Sequence, residues 1–283
     1  MSPSQAIEIR RLTRGELDMV LDWAAAEGWN PGLHDAECFW AQDPEGYFGA
    51  VLNGRLVGSL SMVRYAGDFA FAGLFLVQAV HRGRGLGRAM TEAGAPHVAG
   101  CRIGLDGVVA QQDNYRQSGA EYAHRNRRYE GVGGGEAPAG AGLTDLGSIA
   151  WDELLALDTR CFVSPRPEFL RAWTSQPGHR GLAVRDQGRL AGYGVIRPCR
   201  VGFKIGPLFA ATADQGRALF RGLMALAPGQ PVYLDAPEAN PAAVEMAEAA
   251  GMGLVFETAR MYLGGPHPLP LMQIFGITTY ELG

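Results

Sequence analysis

Residues 69–92 carry the strongest signal in the sequence and read FAFAGLFLVQAVHRGRGLGRAMTE. The first nine are nearly all apolar, which predicts a central strand covered on both faces. Arg82-Gly83-Arg84-Gly85-Leu86-Gly87 follows, and a helix is expected over about 86–98. Unpaired N–H groups at a helix start converge on anions, and glycines let the backbone approach a diphosphate closely. The segment therefore predicts a phosphate-binding loop between a strand and a helix.

Two other phosphate-binding loops do not fit this segment. A Walker loop needs Gly-Lys followed by Ser or Thr, which is absent here. A dinucleotide loop follows the first strand of a βαβ unit. Here the preceding segments, 47–52 and 55–64, flank Asn53-Gly54, the preferred dipeptide of a two-residue hairpin turn. The missing Gly-Lys excludes an ATP-binding Walker loop. The antiparallel hairpin before the loop excludes a dinucleotide-binding loop.

The segments on either side of this region complete one α/β unit. Thr13 and Glu16 have the spacing of a capping box, and the apolar residues that follow predict a helix ending near Gly28. The remaining expected elements are strands over 7–10, 104–109 and 122–129, a helix over 35–42 and a short helix near Tyr115.

The sequence also indicates a duplication. Residues 131–142, GVGGGEAPAGAG, have no periodic apolar pattern and predict a linker. Three segments before or at its start recur later, in the same order and at an offset of about 133 residues. The matched segments are 53–58 with 187–192, Gly119 with Gly251, and 127–131 with 260–264. Two domains are expected, 1–130 and 143–283, and convergent hairpin chemistry is the alternative explanation.

Composition narrows the class of protein. The 283 residues are 47% hydrophobic and 19% charged, as expected of a globular chain, and the formal charge of -4 argues against a nucleic-acid-binding surface. No apolar run is long enough to span a membrane, and the first residues lack a signal-peptide segment, so a cytoplasmic protein is expected. Cys38, Cys101, Cys161 and Cys199 lie far apart, which supports neither a metal site nor a disulfide.

The loop resembles a known signature. Val77-Gln-Ala-Val-His-Arg82-Gly-Arg-Gly-Leu-Gly87 is similar to the acetyl-CoA signature of the GNAT superfamily of N-acetyltransferases, whose core is Arg/Gln-x-x-Gly-x-Gly/Ala. Tyr115, four residues before Gly119, resembles the tyrosine of a later helix in that superfamily. Two positions depart from the pattern, because Val108 replaces the usual Asn and Ala120 replaces an aromatic residue.

The second half resembles a degenerate GNAT unit. Its loop region, 209–217, lacks the paired glycines and places Asp214 near the position meant for an anion. Residues 274–283 resemble the tail of a tandem-GNAT subfamily. The resemblance implies an α/β fold (α+β by some schemes) of two tandem GNAT folds. Each would be a mostly antiparallel mixed sheet with helices on both faces and a splayed central strand pair, and coenzyme is expected only in the first.

The resemblance also implies a site. Acetyl-CoA would be the co-substrate, and no metal is expected. The Val77 N–H would polarise the thioester carbonyl, and Tyr115 would protonate the departing thiolate, although a packed aromatic is the alternative interpretation of Tyr115. The residues expected to bind the coenzyme are Leu76, Val77, Gln78, Arg82, Gly83, Arg84, Gly85, Leu86, Gly87 and Arg88.

The acceptor side is less defined. Trp29 and Asn30 follow a helix, where substrate loops often lie, and are candidates for acceptor binding. Asp35, Glu37 and Asp106 are candidate bases by location, with a cap, a salt bridge or a turn as the alternative role, and a water chain could also serve.

The expected activity is transfer of an acetyl group to a primary amine of a small molecule or peptide, by direct attack in a ternary complex. Neither nucleic acid nor membrane is an expected partner, and a monomer or homodimer is expected. The alternatives are a non-catalytic protein that senses coenzyme A and a transferase that uses another acyl donor.

Overall fold

Two halves of the chain repeat one order of elements in a computed structural model, which describes residues 7–162 and 164–283. The first half contains β1 (Ile7–Arg11), α1 (Arg14–Ala26), α2 (Asp35–Gln42), β2 (Tyr47–Leu52), β3 (Arg55–Arg64), β4 (Phe69–Val77), α3 (Leu86–Gly94), β5 (Arg102–Val108), α4 (Gln112–Gln117) and β6 (Glu121–Val132). The second half contains β7 (Leu143–Asp145), α5 (Trp151–Phe162), α6 (Pro167–Ser175), β8 (Arg180–Asp186), β9 (Arg189–Pro198), β10 (Phe203–Ala210), α7 (Ala213–Met224), β11 (Pro231–Pro237), α8 (Pro241–Ala249), β12 (Gly253–Leu263) and a short extra strand, β13 (Ile274–Gly276).

Local sequence signals explain several boundaries. Thr13 and Glu16 form the expected capping box, in which the Thr13 N–H donates to the Glu16 carboxylate at 2.8 Å. Asn53 and Gly54 adopt positive φ angles of 50° and 77° in the turn between β2 and β3. The helix expected over 86–98 is shorter, because α3 ends at Gly94 and a 3-10 turn containing Pro96 follows.

All thirteen strands of the described residues belong to one sheet, in which the last strands of the two halves are exchanged. Strand β12 of the second half pairs with β5 of the first, and β6 of the first half pairs with β11 of the second. Strands β6 and β12 also pair with each other along most of their length. The mixed α/β fold is confirmed, and the two expected sheets are joined into one. Residues 131 and 132 of the expected linker lie within β6.

Strands β4 and β5 separate in the middle of the first half. Their parallel pairing runs from Phe69 opposite Arg102 to Ala72 opposite Leu105 and then ends, although β4 continues to Val77. At this point β4 contains an irregularity, where Leu74 has a φ of 45°. The Ser59 hydroxyl donates to the Leu74 carbonyl at 2.7 Å and holds this conformation. The edge of β4 that faces β5 is therefore open over 73–77.

The same separation in the second half is filled by the chain itself. Strands β10 and β11 pair in parallel from Phe203 to Ile205, and β13 then pairs antiparallel with β10 at Leu208 and Phe209. The Ile277 N–H donates to the Asp235 carbonyl of β11 at 2.9 Å. The tail of the chain thus occupies the space between β10 and β11.

Buried ion pairs and a shared core connect the halves. Arg197 on β9 contacts Asp35 on α2 at 2.9 Å, and Arg128 on β6 contacts Asp235 on β11 at 2.7 Å, all four side chains being almost completely buried. One apolar cluster contains residues from both halves, including Phe69 and Phe162. No helix in the described ranges has both the length and the hydropathy required to cross a bilayer.

Candidate functional site

A cavity of about 650 Å³ opens where β4 and β5 separate. The open edge of β4 forms one wall, and β5 with α4 forms the opposite wall. The loop between β4 and α3, residues of β12 and residues of the C-terminal tail complete the lining. Among the lining residues are Trp29, Gly73, Leu76, Val77, Arg82, Gly83, Gly85, Leu86, Gly87, Asp106, Tyr115, Phe256, Thr258, Tyr280 and Glu281.

The loop has the geometry of an anion site. Gly83 and Gly85 have φ angles of 74° and 76°, a left-handed conformation that glycine adopts without strain. Gly85 is the N-cap of α3, and the Ala89 N–H makes the first helical bond, to the Gly85 carbonyl at 3.0 Å. The N–H groups of the first turn therefore have no acceptor within the helix. The positive end of the helix dipole and these N–H groups favour a bound phosphate.

Arg82 fixes the loop to the end of β4. Its Nε donates to the Val77 carbonyl at 2.9 Å, and its Nη2 contacts the Glu27 carboxylate at 2.8 Å. The side chain therefore has a positioning role besides its charge. Arg84 and Arg88 are exposed and lie outside the cavity, and Arg88 forms an ion pair with Glu92 at 2.7 Å.

The N–H groups of successive residues at the end of β4 point to opposite edges of the strand. The Gln78 N–H donates to the Val57 carbonyl of β3 at 3.0 Å, so it points away from the cavity. Because successive residues of a strand direct their N–H groups to opposite edges, the Val77 N–H faces the open edge. Leu76 and Val77 line the cavity, whereas Gln78 lies outside it. Leu76, Val77 and Gln78 are all among the residues expected to bind the coenzyme, but the Gln78 N–H is already bonded to β3 and its carbonyl accepts the His81 N–H at 2.8 Å.

Tyr115 lies on α4 and lines the cavity across from β4. Its ring packs against Gly107 of β5, where the Cβ of a larger residue would be 2.7 Å from Cδ2 of the ring. Burial raises the pKa of Tyr115 above its usual value. The phenol therefore stays protonated at neutral pH and can act as a proton donor.

The two acceptor candidates have different positions. Trp29 lines the cavity, and its carbonyl accepts a bond from Nη1 of Arg128 at 2.6 Å. Asn30, the second residue expected to contact the acceptor, is not among the residues that line the cavity. Its side chain binds the Val201 backbone through Nδ2 at 3.0 Å and through Oδ1 at 2.9 Å. Asn30 therefore connects the two halves.

Each of the three candidate bases is held by an arginine. Asp35 is fully buried and binds Arg197 at 2.9 Å. Asp106 binds Arg260 through both oxygens, at 3.0 and 2.6 Å. Glu37 is exposed and contacts Arg14 at 3.2 Å. Although burial opposes it, the Arg197 guanidinium lowers the pKa of Asp35, and arginines occupy the carboxylates of Asp106 and Glu37, so the geometry argues against all three.

Glu281 is an acid at this site that the sequence-based candidates did not include. It is 2% exposed and lines the cavity, and both carboxylate oxygens lack a hydrogen-bond partner among residues 7–162 and 164–283. Burial raises its pKa. The sequence signal that could have identified Glu281 is that it is the only charged residue among residues 274–283, IFGITTYELG.

The loop of the second half differs at the same position. Thr212 and Gln215 cap α7 reciprocally, so side chains of the chain itself bind N–H groups at this helix start. Phe275 of β13 covers Gly216, where an added Cβ would be 2.9 Å from the ring. In the part of the chain that the structure describes, no group of three or more His, Cys, Asp or Glu residues could hold a metal ion.

Two family models match the chain, one in each half. Residues 15–118 match the acetyltransferase (GNAT) family, and residues 154–276 match an acetyltransferase (GNAT) domain. A curated relative, holothin acyltransferase of Pseudoalteromonas sp. (strain SANK 73390), is 30% identical over 269 residues. The match covers 95% of this chain and 92% of that protein.

Solved structures share the fold over nearly the whole chain. A Pyrococcus horikoshii crystal structure has a TM-score of 0.83 at 23% identity and covers 99% of this chain and 97% of that chain. A tandem GNAT protein from the clavulanic acid biosynthesis pathway has a TM-score of 0.61 at 17% identity, with 93% and 100% covered. At these identities the likeness concerns the fold.

Proposed function

Because the chain belongs to the GNAT family of acyltransferases, we propose that it transfers an acetyl group from acetyl-CoA to a primary amine of a small molecule or peptide. The amine attacks the thioester directly while both substrates are bound. One observation carries the proposal, namely that a single cavity joins the open edge of β4 to the glycine loop at the start of α3.

The residues present fit a coenzyme A group. The free N–H groups at the start of α3 suit its pyrophosphate, with Gly83, Gly85 and Gly87 leaving the backbone accessible. Leu76 and Val77 form the wall along which the pantetheine arm would lie, whereas the Gln78 N–H donates to the Val57 carbonyl at 3.0 Å and the Gln78 carbonyl accepts the His81 N–H at 2.8 Å. Arg84 and Arg88 add positive charge on the exposed side of the loop.

Two groups of the protein assist the transfer. The Val77 N–H, on the open edge of β4, donates to the thioester carbonyl oxygen as negative charge develops on it. The Tyr115 phenol donates its proton to the sulfur as the C–S bond breaks. Its raised pKa keeps the proton in place until that step.

One coenzyme site per chain follows from the contrast between the halves. In the first half the groove beside β4 is open, whereas in the second half β13 occupies the equivalent groove beside β10. The start of α7 is capped by Thr212 and Gln215. We therefore propose that acetyl-CoA binds in the first domain, expected over residues 1–130, whose last strand β6 extends to Val132 and so into the expected linker of residues 131–142.

The second domain, residues 143–283, has a supporting role in this proposal. Phe256 and Thr258 of β12, with Tyr280 and Glu281 of the tail, line the cavity of the first half. These residues close the side on which the acceptor binds. The match to holothin acyltransferase covers 95% of this chain and therefore both of its halves, which supports a function that needs the two together.

The test is a survey of donors and acceptors with the purified protein. Thiol release is measured with acetyl-CoA and longer acyl-CoA donors, each against a library of small amines and peptide N-termini. Release that depends on an amine, with acetyl-CoA as the preferred donor, is expected. Preference for a longer acyl-CoA would indicate a transferase that uses another acyl donor. Tight coenzyme binding without turnover on any amine would favour a non-catalytic protein that senses coenzyme A.

A further inference from the structure

Glu281 is a buried acid that the proposed reaction does not yet use. Both oxygens of its carboxylate lie in the cavity lining without a hydrogen-bond partner in the described parts of the chain. A buried carboxylate without a partner is costly, and such groups in native proteins usually have a functional reason. The nearby acids Asp35 and Asp106 are bound to arginines, so Glu281 differs from them.

The charged groups around Glu281 come from four other elements. The charged groups that affect the pKa of Glu281 are Lys204 on β10, Arg128 on β6, Arg197 on β9 and Asp35 on α2.

The cations in this group are bound elsewhere. Arg197 is paired with Asp35, Arg128 is paired with Asp235, and Lys204 donates to the Asn30 carbonyl at 3.0 Å. Burial raises the pKa of Glu281, and Asp35 adds to this, whereas the three cations oppose it. The carboxylate is therefore more basic than an ordinary glutamate and remains open to a ligand.

The backbone of Glu281 packs directly on Gly73 of β4. A Cβ at position 73 would collide with the Glu281 carbonyl, so the glycine is required for this contact. Gly73 begins the open edge of β4 that ends at Val77. Glu281 and the Val77 N–H therefore lie along the same strand segment and in the same cavity.

Aromatic side chains surround the same region. The Arg128 guanidinium lies 4.6 Å from the Tyr280 ring centroid and 5.9 Å from that of Phe256, and it binds the Trp29 carbonyl. All three aromatic residues line the cavity. This part of the cavity thus combines one free carboxylate with flat apolar walls, which suits a cation carried on a compact apolar body.

We propose that Glu281 binds the ammonium group of the acceptor and removes its proton, and that the acceptor is a primary amine on a compact apolar or aromatic body. This inference rests on the acyl transfer proposed above. It makes Glu281 a catalytic residue contributed by the C-terminal tail of the second half to the site of the first half.

The protons balance as follows. The ammonium gives one proton to the Glu281 carboxylate, which later releases it to water. The neutral amine forms the C–N bond with the thioester carbonyl carbon, and the C–S bond breaks. Tyr115 gives its proton to the sulfur, and the second proton lost by the nitrogen restores Tyr115. The products are an amide, the free thiol of coenzyme A and one proton.

The direct test compares Glu281→Gln with the unchanged protein on an amine found by thiol release. We expect kcat/KM for the amine to fall about 100-fold or more, the usual scale for a lost general base, with acetyl-CoA affinity unchanged. The inflection in kcat/KM at low pH that comes from protonation of Glu281 should disappear in the variant, whose kcat/KM should follow only the fraction of neutral amine. Glu238→Gln is the matched control, since Glu238 lies outside the cavity and pairs with Arg127.

A structural role is distinguished by stability and by rescue. Because Glu281→Gln removes an unpaired buried charge, its Tm should be equal or higher, and added formate should restore part of the activity of Glu281→Ala. Equal kcat/KM in Glu281→Gln, or a loss that only follows a lower Tm, would overturn the inference while leaving the acyl transfer intact. Absence of turnover in the unchanged protein would overturn both.

Discussion

Gly85 is required for its backbone conformation and for the access of a ligand to the start of α3, and not for packing. Its φ is 76°, and no described atom lies within 4 Å of the place where a Cβ would be. A side chain there would project into the space in front of the N–H groups of α3. A side chain at position 85 would therefore combine backbone strain with obstruction of the phosphate site.

Gly85→Val should weaken acetyl-CoA binding about tenfold or more, because one lost charge-assisted hydrogen bond already accounts for that factor. Gly100→Val is the matched control, since Gly100 has a φ of 80°, equally open surroundings and a position outside the cavity. Both variants should lose stability by about 1–2 kcal/mol through left-handed strain. Calorimetric titration and thermal unfolding measure the two effects, and equal affinity in both variants would contradict the assignment of the loop.

Tyr115→Phe should lower kcat about 100-fold and leave acetyl-CoA affinity unchanged, because only the phenolic proton is lost. Burial raises the pKa of Tyr115, so the rate of the unchanged protein should not decline up to about pH 10, the ordinary tyrosine pKa. Thiol release across pH is the measurement. Tyr122→Phe, on an exposed part of β6, is the control. An undiminished kcat in Tyr115→Phe would assign Tyr115 to packing.

The residues of the loop could be predicted from sequence because they are contiguous and their chemistry is local. Trp29, chosen because it follows a helix, and Tyr115, chosen from the family resemblance, both line the cavity with the loop. Asn30 was placed there by proximity in sequence, but its side chain binds Val201 across the two halves. Glu281 depends on the course of the tail through both halves, and no local pattern encodes that course.

At the scale of elements, β13 fills the groove of the second half that corresponds to the open edge of β4. Phe275 is 1% exposed and packs over Gly216 of α7. Phe275→Ala should destabilise the protein by about 3–5 kcal/mol through the cavity it creates. Urea unfolding measures this, with Met272→Ala, at an exposed position, as the control.

The same variant should still bind one acetyl-CoA per chain, since Thr212 and Gln215 continue to cap α7. Binding of a second acetyl-CoA would show that β13 alone blocks the second site. The missing paired glycines at 209–217 predicted that the second half binds no coenzyme, but the strand that fills its groove could not be inferred from the sequence. The position of a short strand such as β13 is determined by the strand with which it pairs. Its own three residues are too few to show a hydrophobic periodicity.

Over the whole molecule, the exchange of β6 and β12 makes each half depend on the other. The internal repeat indicated two similar units, and both family models support that. The repeat could not reveal the exchange, because equivalent strands of either half place similar side chains on similar edges. The Asn53-Gly54 turn and the Thr13 capping box were predictable, since they depend on neighbouring residues alone.

A fragment of residues 1–132 should not fold into an active monomer. It lacks β12, so β5 and β6 would have lost their common partner and would expose unpaired strand edges. Circular dichroism and size-exclusion chromatography should show an unfolded or self-associated fragment. Co-expression with residues 133–283 should restore a folded, active complex. A monomeric fragment with full activity would refute the supporting role of the second half.

The claim at the centre of this account is one acyl-CoA site per chain, at the loop before α3. Isothermal titration of the purified protein with acetyl-CoA tests it directly. The expected result is a single binding event with one acetyl-CoA per chain and micromolar-range affinity, weakened about tenfold or more in Gly85→Val and unchanged in Gly100→Val. Absence of binding, two sites per chain, or binding unaffected by Gly85→Val would contradict it.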